Sequence, residues 1–283
     1  MLCGYFGLAR IFVPESAAKF NSPRRKLNMA TWGDPDSPEV HGHFRVRISK
    51  SLQFIEDFNK ATGKKLTITH LVMKMAADTM VDFPEFTGKI VCGCYVKYDT
   101  VDISCLVNLD GGKDLAFFAV TDANNKSLLK FCEEFEEKVE SLRHGEGRKM
   151  HNKATGITDI LPPSISGVLI ELTGFISTVL GLDLPMWGIK RHMCGSMTIT
   201  NVGANGLEIG YAPFPPVIRV PGLLALSSIK DQPIIDNGQI VIDKILTINF
   251  TMDHRFGDGT RGTKAMGEMK RRLENPYECL KIE

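Results

Sequence analysis

"LTINFTMDHRFGDGTRGTKAMGEMKRRLENP", residues 246–276, decides how the rest of the chain is read. It opens with an apolar, β-branched run that suits a strand. A Gly-rich turn follows, and then an amphipathic helix is expected over roughly Gly259 to Leu273, stopped before Pro276. The turn concentrates Asp253, His254, Arg255 and Asp258 between those two elements. One reading is structural: Asp258 caps the helix, and His254 is a hydrogen-bonded histidine at a strand end. The other makes His254 a base at a catalytic turn. A His and an Asp four residues apart leave both readings open.

Working outward, composition excludes little. The 283 residues suffice for one large domain or two small ones. A net charge of +1 carries no concentrated basic face, and "PRRK" at 23–26 is too short to make one, so no nucleic-acid partner is expected. The 7 cysteines are odd in number and scattered, which points to an intracellular, reducing compartment rather than a disulfide framework. "CGC" at 92–94, read as strand, sends its two thiols to opposite faces, and "HGH" at 41–43 lacks a third ligand nearby, so no metal site is expected. The first 26 residues lack the basic start and long apolar core of a secretory signal; their few acids leave an organellar presequence open.

The elements alternate in kind. "HFRVRIS" (43–49) reads as a strand and "SLQFIEDFNKATG" as a helix closed by Gly63. A second helix, capped by Thr67 or Thr69, carries Leu71, Met75 and Met80 on a core stripe until Pro84. "KIVCGCYVKY", "VDISCLVNL" and "DLAFFAVTD" read as strands, and a helix beginning at Asp122 or Asn125 runs to Gly145. Residues 195–206, 223–229 and 239–253 are further strands. Short connections between many of them predict an α/β chain with several antiparallel neighbours.

The turn does not stand alone. Asp253-His254-Arg255-Phe256-Gly257-Asp258-Gly259 resembles the Asp-His-Arg-x-x-Asp-Gly signature of the dihydrolipoyl acyltransferases, core subunits of 2-oxoacid dehydrogenase complexes. "GSMTITNVGANG" (195–206) is similar to that family's Gly-x-x-Thr-Ile-Ser-Asn-x-Gly segment, followed here by Pro215, Pro216 and "GLLALSSI". Upstream, "KLTITHLVMKMAADTMVDFPEF" and "YDTVDISCLVNLDGGKDLAFFAVTDANNKSLLKF" follow in the family's order. The resemblance extends from about residue 23 to 276.

It implies a chloramphenicol acetyltransferase-like fold, a two-layer α+β sandwich with a mixed sheet. Residues 1–22 would be an extension and 23–283 the catalytic domain, with an apolar insertion at about 160–190. It also implies acyl transfer between coenzyme A and a dihydrolipoyl-type thiol. His254 is then the base on the thiol, and Thr200, where the family has Ser, supplies the oxyanion hydroxyl. Asp258 anchors the turn through an arginine, with Arg25 or Arg24 as candidates, while Asn201 and Arg255 give structural support. The implied assembly is a homotrimer, or a larger assembly of trimers, with each site between subunits. The implied compartment is the mitochondrial matrix in a eukaryote and the cytoplasm otherwise.

Three departures qualify this. No lipoyl attachment site is found, so a lipoyl-bearing protein would be a separate partner. "RRKLNMATWGDPDSPEVHGHFRV" is unlike the family's start. The stretch from Ile165 to Leu182 carries one charge, Glu171. It approaches membrane-spanning length, but Gly167, Gly174 and Gly181 favour a helix packed on protein or lying at a membrane surface. These departures also keep open a second function: a catalytically inactive structural or assembly subunit that retains the fold.

Overall fold

The computed structural model describes residues 38–109, 114–149, 163–185, 189, 191–214 and 219–282. In chain order the elements are β1 (Glu39–Arg47), α1 (Ser49–Thr62), α2 (Ile68–Asp82), β2 (Gly88–Val91), β3 (Cys94–Lys97), β4 (Ile103–Leu109), β5 (Asp114–Val120) and α3 (Leu128–His144). Then come α4 (Pro163–Gly174), β6 (Met197–Asn201), β7 (Gly222–Leu226), β8 (Lys230–Asp236), β9 (Gln239–Asp253), α5 (Gly259–Glu274) and α6 (Pro276–Cys279).

Among the described residues seven strands form one mixed sheet in the order β1-β9-β7-β6-β4-β5, with β8 also paired to β9; β2 and β3 form a separate hairpin. β4, β6 and β7 run parallel to one another, and the remaining pairs are antiparallel. Helices α1, α2, α3 and α5 pack on the sheet as the second layer. The core between the layers is continuous. It joins Phe54, Phe58, Met75 and Phe131 of the helices to Ile199, Leu226 and Ile248 of the strands. The expected Leu71, Met75 and Met80 stripe of α2 is fully enclosed in it.

β9 spans the residues expected of it, but it is two strands in function. Ile245–Asp253 pairs with β1, with β7 on the other side over Ile248–Met252, and is largely buried, whereas Gln239–Lys244 has ladder partners in β8 alone. That second half projects as a ribbon with Ile235, Ile240 and Ile242 each more than three-quarters exposed. β8 is absent from the sequence reading; Pro233 argues against a central strand but suits an edge.

Several local expectations need correction. "KIVCGCYVKY" is a hairpin, not one strand: Val91 pairs with Cys94, and Cys92 and Gly93 make the turn with φ of 49° and 75°. The two thiols therefore flank a turn instead of alternating along a strand. β1 begins at Glu39, inside a stretch dense in turn formers, because its backbone continues the ladder with β9. α3 is capped by Ser127, whose hydroxyl accepts from the Lys130 N–H, rather than by Asp122 or Asn125. α2 takes Thr67 as its cap, with the His70 imidazole closing a reciprocal capping box.

The apolar insertion forms α4 and a π-helical turn over Phe175–Val179. Among the described residues no helix is long and apolar enough to cross a membrane. Val179 packs with Val91, Val96 and Cys92 of the β2–β3 hairpin in a small cluster separate from the main core. The buried Lys89 ammonium donates to the Val179 carbonyl at 3.0 Å. His192 packs against Tyr98 at a tilt of 47°, with ring centroids 4.7 Å apart. Gly181 sits over the Lys89 ammonium and the His192 ring with φ of 69°; a Cβ there would lie 3.0 Å from the Lys89 nitrogen and 3.1 Å from the His192 ring. α4 itself leaves Val168, Ile170 and Leu172 exposed.

Candidate active site

Asp253 ends β9 and is held on both sides. Its N–H donates to the Pro221 carbonyl, and its buried carboxylate receives the Arg255 guanidinium at 2.7 Å and the Arg255 N–H at 2.9 Å. A bidentate pair across one residue closes the turn sharply. His254 continues the sheet edge: its N–H donates to the Pro38 carbonyl at 3.0 Å, and its side chain is half-buried. Phe256 is buried in the main core, edge-on to Tyr95. Asp258 caps α5, its carboxylate accepting from the Arg261 N–H at 3.0 Å. Capping accounts for Asp258 locally and leaves His254 free of that duty, so the cap and the catalyst readings of the turn are compatible. Arg24 and Arg25, the expected partners of Asp258, lie outside the described residues, as do Pro215 and Pro216.

Thr200 is elsewhere. It is half-buried near the end of β6 and lines an open cleft of about 490 Å³ together with Thr67, Thr69, His70, Phe135 and Asn201. Asn201 ties this strand end down: its amide donates to the Thr69 hydroxyl at 3.0 Å, and its carbonyl accepts from the Ala204 N–H at 3.2 Å. Burial, with Lys65 nearby, lowers His70 to about 4, so its ring is neutral at ordinary pH.

Cross-strand register separates the two candidates. Thr200 lies opposite Ala225, Ala225 lies opposite Asn249, and His254 follows Asn249 by five residues. At strand rise this is roughly 17 Å along the sheet, plus two strand spacings across it. His254 does not line the Thr200 cleft. Within one chain, then, His254 and Thr200 are not one site.

The histidines of "HGH" do share a face. His43 meets the Tyr211 hydroxyl at 2.9 Å, and His41 meets the Thr251 hydroxyl at 3.0 Å. Among the described residues no group of His, Cys, Asp and Glu is arranged to hold a metal, and the six cysteines there are free. Sequence reasoning missed the ion pair between Arg261 and Glu85, which joins α5 to the segment after α2. A Pro-Glu pair after a helix carries no signal of so distant a partner.

The model of the 2-oxoacid dehydrogenase acyltransferase catalytic domain matches residues 28–160 and 191–281. The chain belongs to this family. The acyltransferase match stops at the apolar insertion and resumes after it. A relative from Staphylococcus aureus, the dihydrolipoyllysine-residue acetyltransferase component of a pyruvate dehydrogenase complex, is 38% identical over 93% of the chain and 52% of its own length. The chain thus spans about half the length of the curated relatives it matches. The fold is that of the cubic core of a pyruvate dehydrogenase complex (TM-score 0.62, 19% identity, covering 89% of this chain and 87% of that one). It is equally that of the Azotobacter vinelandii dihydrolipoamide acetyltransferase (TM-score 0.62, 17% identity, 89% and 86% covered), in which a serine, a histidine and an asparagine were investigated for catalytic roles. Chloramphenicol acetyltransferase is similar more distantly (TM-score 0.52, 15% identity, 90% and 95% covered).

Proposed function

We propose that this chain is an acyltransferase that moves an acyl group between coenzyme A and a dihydrolipoyl-type thiol, at sites formed between copies of the chain. The carrying observation is the register: His254 and Thr200 stand at different ends of the sheet, so a shared site requires His254 of one copy and Thr200 of another. A homotrimer satisfies this. The likeness to a cubic core supports trimers that assemble further, and the exposed isoleucines of the β8–β9 ribbon supply apolar surface for such contacts.

The chemistry follows from those two groups. A thiol with a pKa of roughly 8.5 is largely protonated at neutral pH. The neutral His254 imidazole removes the S–H proton as sulfur attacks the thioester carbonyl. Negative charge moves to the carbonyl oxygen, which accepts a hydrogen bond from the Thr200 hydroxyl. Collapse of the tetrahedral adduct breaks the original C–S bond, and the departing thiolate recovers the proton from the imidazolium. Asp258 caps α5 and so sets the start of the helix behind His254. Arg25 is its proposed cationic partner, and Asn201 and Arg255 hold the two strand ends.

Residues 23–283 form the proposed catalytic domain, preceded by the extension 1–22. The insertion at about 160–190 is proposed as a contact for protein or a membrane surface, supported by the exposed Val168, Ile170 and Leu172. A lipoyl group would come from a separate lipoyl-bearing domain or protein. Bacterial relatives favour the cytoplasmic over the mitochondrial placement.

Acetyl transfer from acetyl-coenzyme A to dihydrolipoamide tests the reading. His254→Ala should lower kcat by about 10³-fold or more. Thr200→Ala should lower it by about 10²-fold, with Thr200→Ser close to wild type. Unaltered transfer by the His254 variant would refute the mechanism. A wild-type protein inert toward every acyl-coenzyme A and thiol pair would restore the structural-subunit reading.

A further inference from the structure

The His254 turn rests on a seat built by a distant part of the chain. Phe256 meets Tyr95 edge-on, with ring centroids 6.1 Å apart. The Tyr95 hydroxyl contacts the carbonyls of Pro84 and Thr87, the second at 2.9 Å. Gly257 lies flush on the Phe86 ring, where a Cβ would approach to 2.8 Å. So Pro84–Thr87, the link between α2 and the β2–β3 hairpin, meets the turn directly at Gly257 through Phe86, and at Phe256 through the Tyr95 ring that it anchors.

The third contact is electrostatic. The Glu85 carboxylate, 8% exposed, receives Nε–H of Arg261. The Arg261 guanidinium also lies over the Phe83 ring, 4.9 Å from its centroid. Arg261 is in the first turn of α5, and its own N–H is the donor to Asp258. One residue thereby links the helix cap to the seat. Both Glu85 and Asp258 hold the Arg261 cation, which hydrogen bonding to Glu85 keeps more firmly charged than usual. The packing contacts fix how closely the turn sits on its seat. The ion pair adds a directional restraint on the α5 start, and with it on the His254 turn, at that contact.

We propose that Glu85 is a positioning residue for the acyl-transfer base: its pair with Arg261 locks the His254 turn onto the Pro84–Thr87 seat. This rests on the acyltransferase reading for its catalytic consequence, but not for the lock itself. Two measurements separate them. Amide hydrogen exchange of the full-length protein over residues 253–262 reads the lock, and acetyl-coenzyme A with dihydrolipoamide reads the catalysis. Glu85→Gln keeps the shape and removes the charge. It should speed exchange in that segment about tenfold and lower kcat about tenfold with KM changed less than about twofold. Glu85→Asp should recover part of both, and the reversed pair E85R/R261E should protect the turn better than either single variant. Unchanged exchange in Glu85→Gln overturns the lock. Faster exchange with unchanged kcat overturns the positioning role. Faster exchange rescued by Glu85→Asp in a protein that transfers nothing supports the lock and removes the acyltransferase reading alone.

Discussion

Two regions reach the sheet at the same end, where β6 begins and β9 finishes: the His254 turn and the insertion that runs into β6. They are anchored differently. The turn sends Phe256 into the main core and caps α5 behind it. The insertion sends Val179 into a separate cluster with Val91, Val96 and Cys92, and hangs α4 from it with apolar side chains outward. The family match covers the first region and passes over the second. An added segment that brings its own small core leaves the packing behind the turn undisturbed. It also means that the insertion's stability is local, while the turn's stability is that of the domain.

The sharpest way to break this comparison is to cut one anchor in each region. Phe256→Ala should cost about 3–5 kcal/mol of global stability, read as a lowered denaturant midpoint. Val179→Ala removes less apolar volume, about 2 kcal/mol. Its effect should appear as faster amide exchange over 175–192 with the global midpoint nearly unmoved. A global shift from Val179→Ala as large as that from Phe256→Ala would show one core, not two.

Acid offers an intermediate test. His70, buried at the start of α2, and His192, just after the insertion and packed against it, are both lowered to about 4, chiefly by burial. Their folded pKa values lie below the unfolded value near 6.5, so the folded chain favours the neutral rings. That stabilisation is complete above pH 6.5 and is lost as pH falls from 6.5 towards 4. For His70, 5% exposed, the loss is about 3 kcal/mol of global stability, and His70→Gln should flatten that part of the stability–pH curve. For His192, flanked by Lys89, Arg191 and Asp183, the same acid range should loosen only the insertion, seen as exchange over 175–192 while the sheet stays protected. Loss of the sheet and insertion together would merge the two regions.

Legibility followed locality. β9 was readable along its whole length because strand alternation passes without interruption into the Asp-His-Arg turn, and α5 because a cap and a helical apolar stripe adjoin. α1 was readable from a closing Gly63, and α2 from a threonine cap left between Thr67 and Thr69, of which Thr67 takes the role. β8 was not, since Pro233 is tolerated only because its strand is an edge, and edge status is not a local property. Nor was the Cys92–Gly93 turn, where a non-glycine residue occupies the left-handed region that a sequence reader reserves for Gly or Asn. The membrane question raised by the insertion turned on helix length, and α4 proved short.

By itself the sequence determined the family, the mixed α/β fold and the chemical groups available to it: an imidazole at the end of one strand and a hydroxyl near the end of another. These depend on residue type and spacing within single elements. Only the tertiary structure decided that Thr200 and His254 lie far apart within one chain, and that Glu85 reaches Arg261 from the other side of the sequence. Both depend on which strands and segments are neighbours. That is set by cooperative packing of the whole core, and no stretch of thirty residues contains it.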